Sequence, residues 1–413
     1  MKKKITKEVK KKIAKEVKKE GAKEIKKESI KENIKGNTEE STEALRELPT
    51  LLLAWYDKRK RVLPWREEPT PCRVWISEIM LQQTRVEAVK PYYDRFLKEF
   101  PDVSSLAAAK EDRLLKCWEG LGYYNRARNL QKAARQICER FGGELPSERE
   151  ELLTLSGIGS YTAGAISSIA FGKPYPAVDG NVLRVLARLR ADERDILKDS
   201  VKRAVEEELS AYLPRERAGE FNQAMMELGA LVCIPKGGAK CGECPLESLC
   251  MARRTDRVAE FPKKTPKKAR RIEEKTILLL QDGEKTALKK RPEKGLLAGL
   301  YEFPTLEGHV PKEKVLSYLR KLGIQTVRIR ELPPAKHIFT HKEWHMIGYL
   351  IRVDELEREL SKEAASTFVF AEKEQTEAEY PIPSAFAAYA EYLRIRQGSG
   401  RFHGDEAYGK QRE

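Results

Sequence analysis

Four cysteines fall within 18 residues, in the order Cys233-x7-Cys241-x2-Cys244-x5-Cys250. Thiols this close in a long chain without secretory features suggest metal or cluster ligation rather than a disulfide scaffold. A tetrahedral zinc site and a cubane iron–sulfur cluster both take four thiolates. Zinc ribbons normally carry two CxxC knuckles, and only Cys241–Cys244 forms one here. The spacing therefore favours a cluster, over zinc and over unligated thiols. Cys72, Cys117 and Cys138 are scattered through helical patterns and read as free buried thiols.

The 413 residues suit two or three domains, and 40% hydrophobic residues suffice for real cores. No apolar run reaches the 18 or so residues of a membrane span. The N-terminal MKKKITKEVK has no apolar stretch of the kind a secretory signal needs. Both point to an intracellular protein. The net charge of +15 suggests an anionic partner, nucleic acid first. Residues 1–35, however, hold 15 Lys and 6 Glu and so carry nine of those charges. Residues 1–44 repeat a Lys-Glu-Val-Lys-Lys unit with a period of eight. They read as a solvated tail with a thin apolar stripe (Ile5, Val9, Ile13, Val17), or as a non-specific electrostatic tether.

Residues 45–258 carry helical periodicity broken by Pro and Gly. It predicts helices near 45–60, 73–89, 91–99, 111–119, 125–141, 148–155, 160–171, 180–190, 197–212 and 217–232, with almost no strand alternation. The Pro- and cation-rich stretch 259–273 reads as an extended basic linker. From 274 to 396 the pattern becomes α+β. It predicts strands near 275–281, 286–290, 301–303, 325–331, 345–353 and 367–370, an Asp282-Gly283 hairpin turn, and helices near 312–322 and 383–396. Residues 397–413 read as a polar tail.

All five histidines lie at 309 or later, so acid–base chemistry in the helical region must use carboxylates, Tyr, Lys or Cys. Three segments there can carry chemistry. In Leu155-Ser-Gly157-Ile-Gly159-Ser-Tyr161, a GxG turn between two helices lets backbone amides approach a phosphate. In Ala177-Val-Asp179-Gly-Asn181-Val182, Asp179 is a helix N-cap or a functional carboxylate. In Trp75-Ile-Ser-Glu78-Ile-Met-Leu81-Gln-Gln83-Thr84, Glu78 is an exposed helical residue, or a carboxyl desolvated by its apolar neighbours.

In chain order, with the Glu78 segment first, then the GxG turn, the Asp179 segment and the four cysteines, the signals resemble the helix–hairpin–helix DNA glycosylases, and in detail the MutY-type adenine DNA glycosylases. The likeness spans roughly Leu51 to Cys250 and includes Leu63-Pro-Trp-Arg66 and Glu119-Gly-Leu-Gly-Tyr123-Tyr-Asn-Arg126. The resemblance implies a mostly α glycosylase domain with an iron–sulfur (4Fe–4S) loop at 233–250, ligated by Cys233, Cys241, Cys244 and Cys250. It makes Glu78 the acid that protonates adenine N7, and Asp179 the carboxylate that stabilises the oxocarbenium-like sugar. Tyr161 and Asn181 line the same site, and Arg66 contacts the flipped adenine. Gln83 and Tyr123 enter the base stack, Leu81 and Thr84 belong to the same DNA-contacting segment, and Gly157 and Gly159 hold the DNA backbone. The related endonuclease III enzymes have lysine where Tyr161 stands, so the expected activity is a monofunctional glycosylase. Two departures stand out: the first cysteine gap is seven residues against the family's usual six, and Ser156 replaces the hairpin's usual Pro.

Lys290-Arg-Pro-x-x-Gly295-Leu-Leu-Ala-Gly299-Leu-Tyr-Glu-Phe-Pro304 resembles the Nudix-like domain of the same family, without a catalytic Nudix box. Phe339-Thr340-His341 matches the loop that reads 8-oxoguanine, with a core Phe339 and a surface His341 as the alternative, and His345 reads as a strand residue. The implied partner is double-stranded DNA bearing an adenine:8-oxoguanine mispair. The implied protein is a cytoplasmic, nucleoid-associated monomer.

Overall fold

The computed structural model describes residues 45–235, 238–266, 269–354 and 367–398. The Lys/Glu tail, Lys236 and Gly237 of the cysteine loop, and the tail beyond 398 lie outside them.

The helical region runs α1 (residues 45–59), α2 (Pro64–Glu67), α3 (Pro71–Leu81), α4 (Val86–Glu99), α5 (Val103–Ala108), α6 (Glu111–Trp118), α7 (Asn125–Phe141) and α8 (Arg149–Leu152). It continues through α9 (Ser160–Ile169), α10 (Gly180–Leu189), α11 (Asp199–Tyr212), α12 (Ala218–Leu231) and α13 (Met251–Arg254). Then come β1 (Arg271–Asp282), β2 (Lys285–Lys290), β3 (Tyr301–Glu302), β4 (Thr305–Glu307), α14 (Lys312–Lys321), β5 (Thr326–Ile338), β6 (Lys342–Val353), β7 (Phe368–Glu372), α15 (Lys373–Glu379) and α16 (Ala387–Ala390). No helix among the described residues is long and apolar enough to cross a membrane.

The chain forms two compact units, Met1–Arg61 with Gly164–Thr265 and Val62–Ala163 with Pro266–Glu413. In the first, α1 and α10 to α12 bury Leu48, Leu52, Leu186, Phe221 and Leu228, and Cys233, Cys244 and Cys250 pack on the edge of that core. In the second, α3 to α7 pack together and the strands form one mixed sheet. Its order is β3-β2-β1-β6-β5, with β4 on β1 and β7 on β2, and only the β1–β6 pair is parallel. The Ile277–Leu280 run in β1 is apolar throughout because both faces are covered. Ile277 and Leu279 meet Trp344 and Phe386, while Leu278 and Leu280 meet Val315 and Leu319 of α14.

The short elements α2, α5, α13, α15 and β4 lie where the sequence pattern predicts none, β1 begins at Arg271 inside the stretch expected as a linker, and three expected elements take another form. The helix expected over 73–89 stops at Leu81 and a new one starts at Val86, with Gln83 between them at φ +59°. The Arg126 guanidinium takes the carbonyls of Ile79, Met80 and Gln82, which a continuing helix needs for its own N–H groups. The strand expected over 325–331 runs on through Pro333 and Pro334 to Ile338. It can do so because β5 is the sheet edge, where a missing N–H costs no ladder bond, and the register shifts between Leu332 and Ala335. The helix expected over 383–396 is three short turns, Ser384–Phe386, α16 and Glu391–Leu393, ended by Arg394 at φ +54°.

Within the second unit, the end of α6 meets the segment after β7 through a buried ion pair. Lys116 Nζ donates to Glu119 Oε1 (3.2 Å) and to the carbonyls of Thr376 (3.0 Å) and Tyr380 (2.7 Å). Glu119 in turn accepts from the Ile382 amide at 2.8 Å. The two side chains are 4% and 1% exposed. Removing one member strands the other without solvent, so Lys116→Met costs about 3–5 kcal/mol in urea unfolding, and replacing both residues with apolar ones recovers part of it. A loss below about 1 kcal/mol, as for an exposed pair, would show that the contact does not form in solution.

Candidate active site

Glu78 lies on α3, which opens with Pro71 at its first position, where the absent N–H is not missed. Trp75, Ile79 and Met80 around it are buried, and Glu78 itself is only 6% exposed. The apolar neighbourhood read from the sequence thus encloses the carboxyl. Its Oε2 accepts a hydrogen bond from the phenol of Tyr161, in the first turn of α9. A second tie joins the same two segments, from Gln82 Nε2 to Thr162 Oγ1 at 3.3 Å. Arg66 is half-buried on α2.

The hairpin before α9 turns at Gly157, φ +79°, where a Cβ would stand 2.7 Å from Asn129 Cβ. Only glycine fits both constraints. A Cβ at Gly159 would meet nothing within 4 Å, which leaves open space before the α9 N-terminus. In place of a proline restraint, the Ser156 amide is held by Gln136 Oε1 at 2.8 Å.

Gln83 and Tyr123, from two separate loops, both take left-handed backbone angles, φ +59° and +48°. Strain of this kind in non-glycine residues gathers at functional sites. Gln83 is exposed, and the Tyr123 ring is 52% exposed. Leu81 and Thr84 flank Gln83 and are half-buried. The Tyr123 hydroxyl lies 3.4 Å from Thr340 Oγ1. Phe339, Thr340 and His341 form the tip of the β5–β6 hairpin, closed by the Phe339 amide on the Lys342 carbonyl (2.9 Å). Phe339 packs edge-on to Trp344, whereas Thr340 and His341 are exposed. His345 is a β6 residue, its Nε2 2.9 Å from Glu343.

In the first unit, Asp179 caps α10. Its Oδ1 accepts from the amides of Asn181 and Val182, both at 2.8 Å, and its Oδ2 from Asn181 Nδ2 at 2.7 Å. Burial pushes the Asp179 carboxyl above the usual carboxylate range, against the pull of these bonds and of Arg184. The hydrogen bonds continue from Asn181 Oδ1 to Arg184 at 2.8 Å, and from Arg184 Nε to the Cys233 carbonyl at 2.8 Å. One turn further on, Arg188 reaches Cys233 Sγ (3.3 Å) and the Ile234 carbonyl (2.9 Å). Gly229 permits this packing, because a Cβ there would stand 2.5 Å from Asn181 Cβ.

Cys233, Cys241, Cys244 and Cys250 line one small cavity together with Arg188, Lys240 and Arg253. Burial pushes the Cys244 thiol up to about 12 and raises that of Cys250. Among the described residues, no group of three or more His, Cys, Asp or Glu is placed to hold a metal ion.

Arg126, Arg184 and Arg188 have no role in the sequence expectation. Arg184 and Arg188 lie inside the apolar stretch of α10 and Arg126 on the buried side of α7, and each is less than a tenth exposed. A buried guanidinium demands several acceptors, so an arginine on the apolar face of a helix was the available signal.

Residues 76–211 match the HhH-GPD superfamily of base excision DNA repair proteins, and residues 276–392 match a NUDIX domain. The chain is 34% identical over 409 residues to the adenine DNA glycosylase of Mus musculus, covering 85% of this chain and 79% of that protein. It is 36% identical over 305 residues to that of Buchnera aphidicola subsp. Acyrthosiphon pisum, covering 73% and 86%. It is 36% identical over 350 residues to that of Homo sapiens, covering 70% and 64%. The chain therefore belongs to the adenine DNA glycosylase family, within the HhH-GPD superfamily.

Proposed function

We propose that this chain excises adenine mispaired with 8-oxoguanine in double-stranded DNA, and with guanine more slowly, by hydrolysing the N-glycosidic bond. The observation that carries this is the buried Glu78 carboxyl under the Tyr161 phenol. The adenine nucleotide leaves the stack, and Arg66 meets the extruded base. Glu78 gives its proton to N7, so the C1′–N9 electron pair departs into a neutral base. Tyr161 fixes the carboxyl's direction. The cationic sugar that develops is stabilised by ionised Asp179, which Asn181 and the α10 amides hold in place. Water adds to C1′ and leaves an abasic site. A phenol forms no imine with the sugar, so strand cleavage is not part of the reaction.

The four cysteines fit a 4Fe–4S cluster. Cys233, Cys241, Cys244 and Cys250 line one cavity, and four thiolates are the ligand set such a cluster takes. A cluster held by these four would tie the cysteine segment to α10, which Arg184 and Arg188 already join at Cys233. Gly157, Gly159 and the α9 N-terminus take the DNA backbone. The tip residues Phe339, Thr340 and His341 read the opposite base. The enzyme acts as a monomer on cytoplasmic, nucleoid-associated DNA.

The lesion-reading part is tested by the ratio of single-turnover rates on adenine:8-oxoguanine and adenine:guanine duplexes. Thr340→Val with His341→Ala reduces that ratio by about tenfold, the worth of one or two lost polar contacts. An unchanged ratio assigns lesion reading elsewhere.

A further inference from the structure

Arg126 is 9% exposed and touches neither of the proposed catalytic carboxylates. Its guanidinium is shared between two loops. One terminal nitrogen donates to the carbonyls of Ile79 (2.9 Å), Met80 (2.8 Å) and Gln82 (2.6 Å). The other donates to Thr84 Oγ1 (3.1 Å) and to the carbonyls of Leu121 (3.0 Å) and Gly122 (3.1 Å). The first loop carries Gln83 and the second carries Tyr123, and these are the two strained positions of the site. The guanidinium also stacks 5.6 Å from the Tyr123 ring centre and 5.4 Å from that of Trp118, whose Nε1 holds the Gly122 carbonyl at 3.1 Å.

We propose that Arg126 is the positioning residue of base extrusion: one planar fork locks the Gln83 loop to the Tyr123 loop, so that both side chains enter the base stack as one wedge. Each left-handed residue alone would relax. Bound to one rigid group, the two loops hold their separation, and the strain is offset by charge-assisted hydrogen bonds. A lysine keeps the charge but presents a single point, and cannot span two loops. The inference rests on the reading that Gln83 and Tyr123 penetrate the stack.

The experiment uses the full chain with Arg126→Lys and Arg126→Met, beside Gln83→Ala and Tyr123→Ala, each checked for folding by thermal unfolding. If the Met variant does not fold, the Lys variant carries the test. Extrusion is read from 2-aminopurine fluorescence in a duplex with 2-aminopurine opposite 8-oxoguanine. Chemistry is read as single-turnover adenine release from two duplexes, one with adenine opposite 8-oxoguanine and one with adenine opposite an abasic-site analogue, where nothing must be unpaired. The Arg126 variants lose the extrusion signal, and release from the paired duplex falls on the order of 30-fold, against less than about threefold from the unpaired one. Equal losses on both duplexes would reduce Arg126 to a general structural role and overturn the proposal. So would an intact extrusion signal in Arg126→Lys when Gln83→Ala and Tyr123→Ala have lost theirs. Normal extrusion in those two alanine variants would instead reject the wedge reading on which the proposal stands.

Discussion

Replacing Glu78 with glutamine lowers single-turnover adenine release by about 10³-fold, within the range general acid catalysis supplies, while duplex affinity stays within about threefold. The amide keeps the size and shape of the carboxyl. Its oxygen can still accept from the Tyr161 phenol, so the enclosure by Trp75, Ile79 and Met80 persists. What it lacks is an acidic proton. Adenine then has to leave as an anion. Since histidine is absent before residue 309, no neighbouring group of the helical region takes over at neutral pH. Tyr161→Phe is the milder companion: it removes the donor that orients the carboxyl, leaves the acid, and costs less than Glu78→Gln. A Glu78→Gln enzyme that released adenine at the unmodified rate would remove Glu78 from the chemistry.

Asp179→Asn has the second largest effect, a loss of about 10²–10³-fold, comparable with removing one electrostatic contact to a charge that develops in the transition state. Asparagine keeps the cap, since its Oδ1 still takes the two α10 amides, but its Nδ2 faces Asn181 Nδ2 and that bond is lost. The sign of the stability effect follows from the carboxyl itself. Burial raises its pKa in the folded state, so ionised Asp179 costs folding free energy once pH has risen through that raised value. Asp179→Asn removes this cost but gives up the Asn181 bond, so near neutral pH it melts close to the temperature of the unmodified chain. Activity shows the opposite face of the same shift. Because the proposed role needs Asp179 ionised, the rate is expected to fall on acidification from a higher pH than an exposed carboxylate would give. A pH–rate profile of single-turnover release checks that limb, and its persistence in Asp179→Asn would assign it to another group.

Asp179 also illustrates what could be read without coordinates. Its position before Val182, Leu183 and Leu186 allowed both a cap and a functional carboxylate; the geometry shows the cap, and the proposed catalytic role uses the same carboxylate. One oxygen takes the two α10 amides and the other takes Asn181, which fixes the carboxylate's direction. The enclosure of Glu78 was legible as one of two readings, from Trp75, Ile79 and Met80 within three positions of it. Strand β1 was legible from its apolar run and the Asp282-Gly283 turn after it, although the run is buried on both faces and does not alternate. The break in α3 was not legible. Its cause is Arg126, more than 40 residues away, competing for helix carbonyls. Nor was the Lys116–Glu119 contact: a lysine and a glutamate three apart at a helix end read as an exposed pair, until residues 376–382 are packed over them. The extension of β5 through two prolines depended on its being an edge, a property of sheet order and not of the segment. In each case the missing information was a long-range hydrogen-bond partner. Local pattern cannot supply one.

The central claim is that this chain releases adenine as a free base from opposite 8-oxoguanine and leaves the strand intact. Its most direct test incubates the full chain, in excess, with a duplex carrying one adenine:8-oxoguanine pair, and separates the products with and without alkali. Free adenine appearing together with an abasic strand that breaks only after alkali is the predicted result. Strand cleavage without alkali, with a borohydride-trapped adduct in stoichiometric yield, or no free adenine at all, would contradict it.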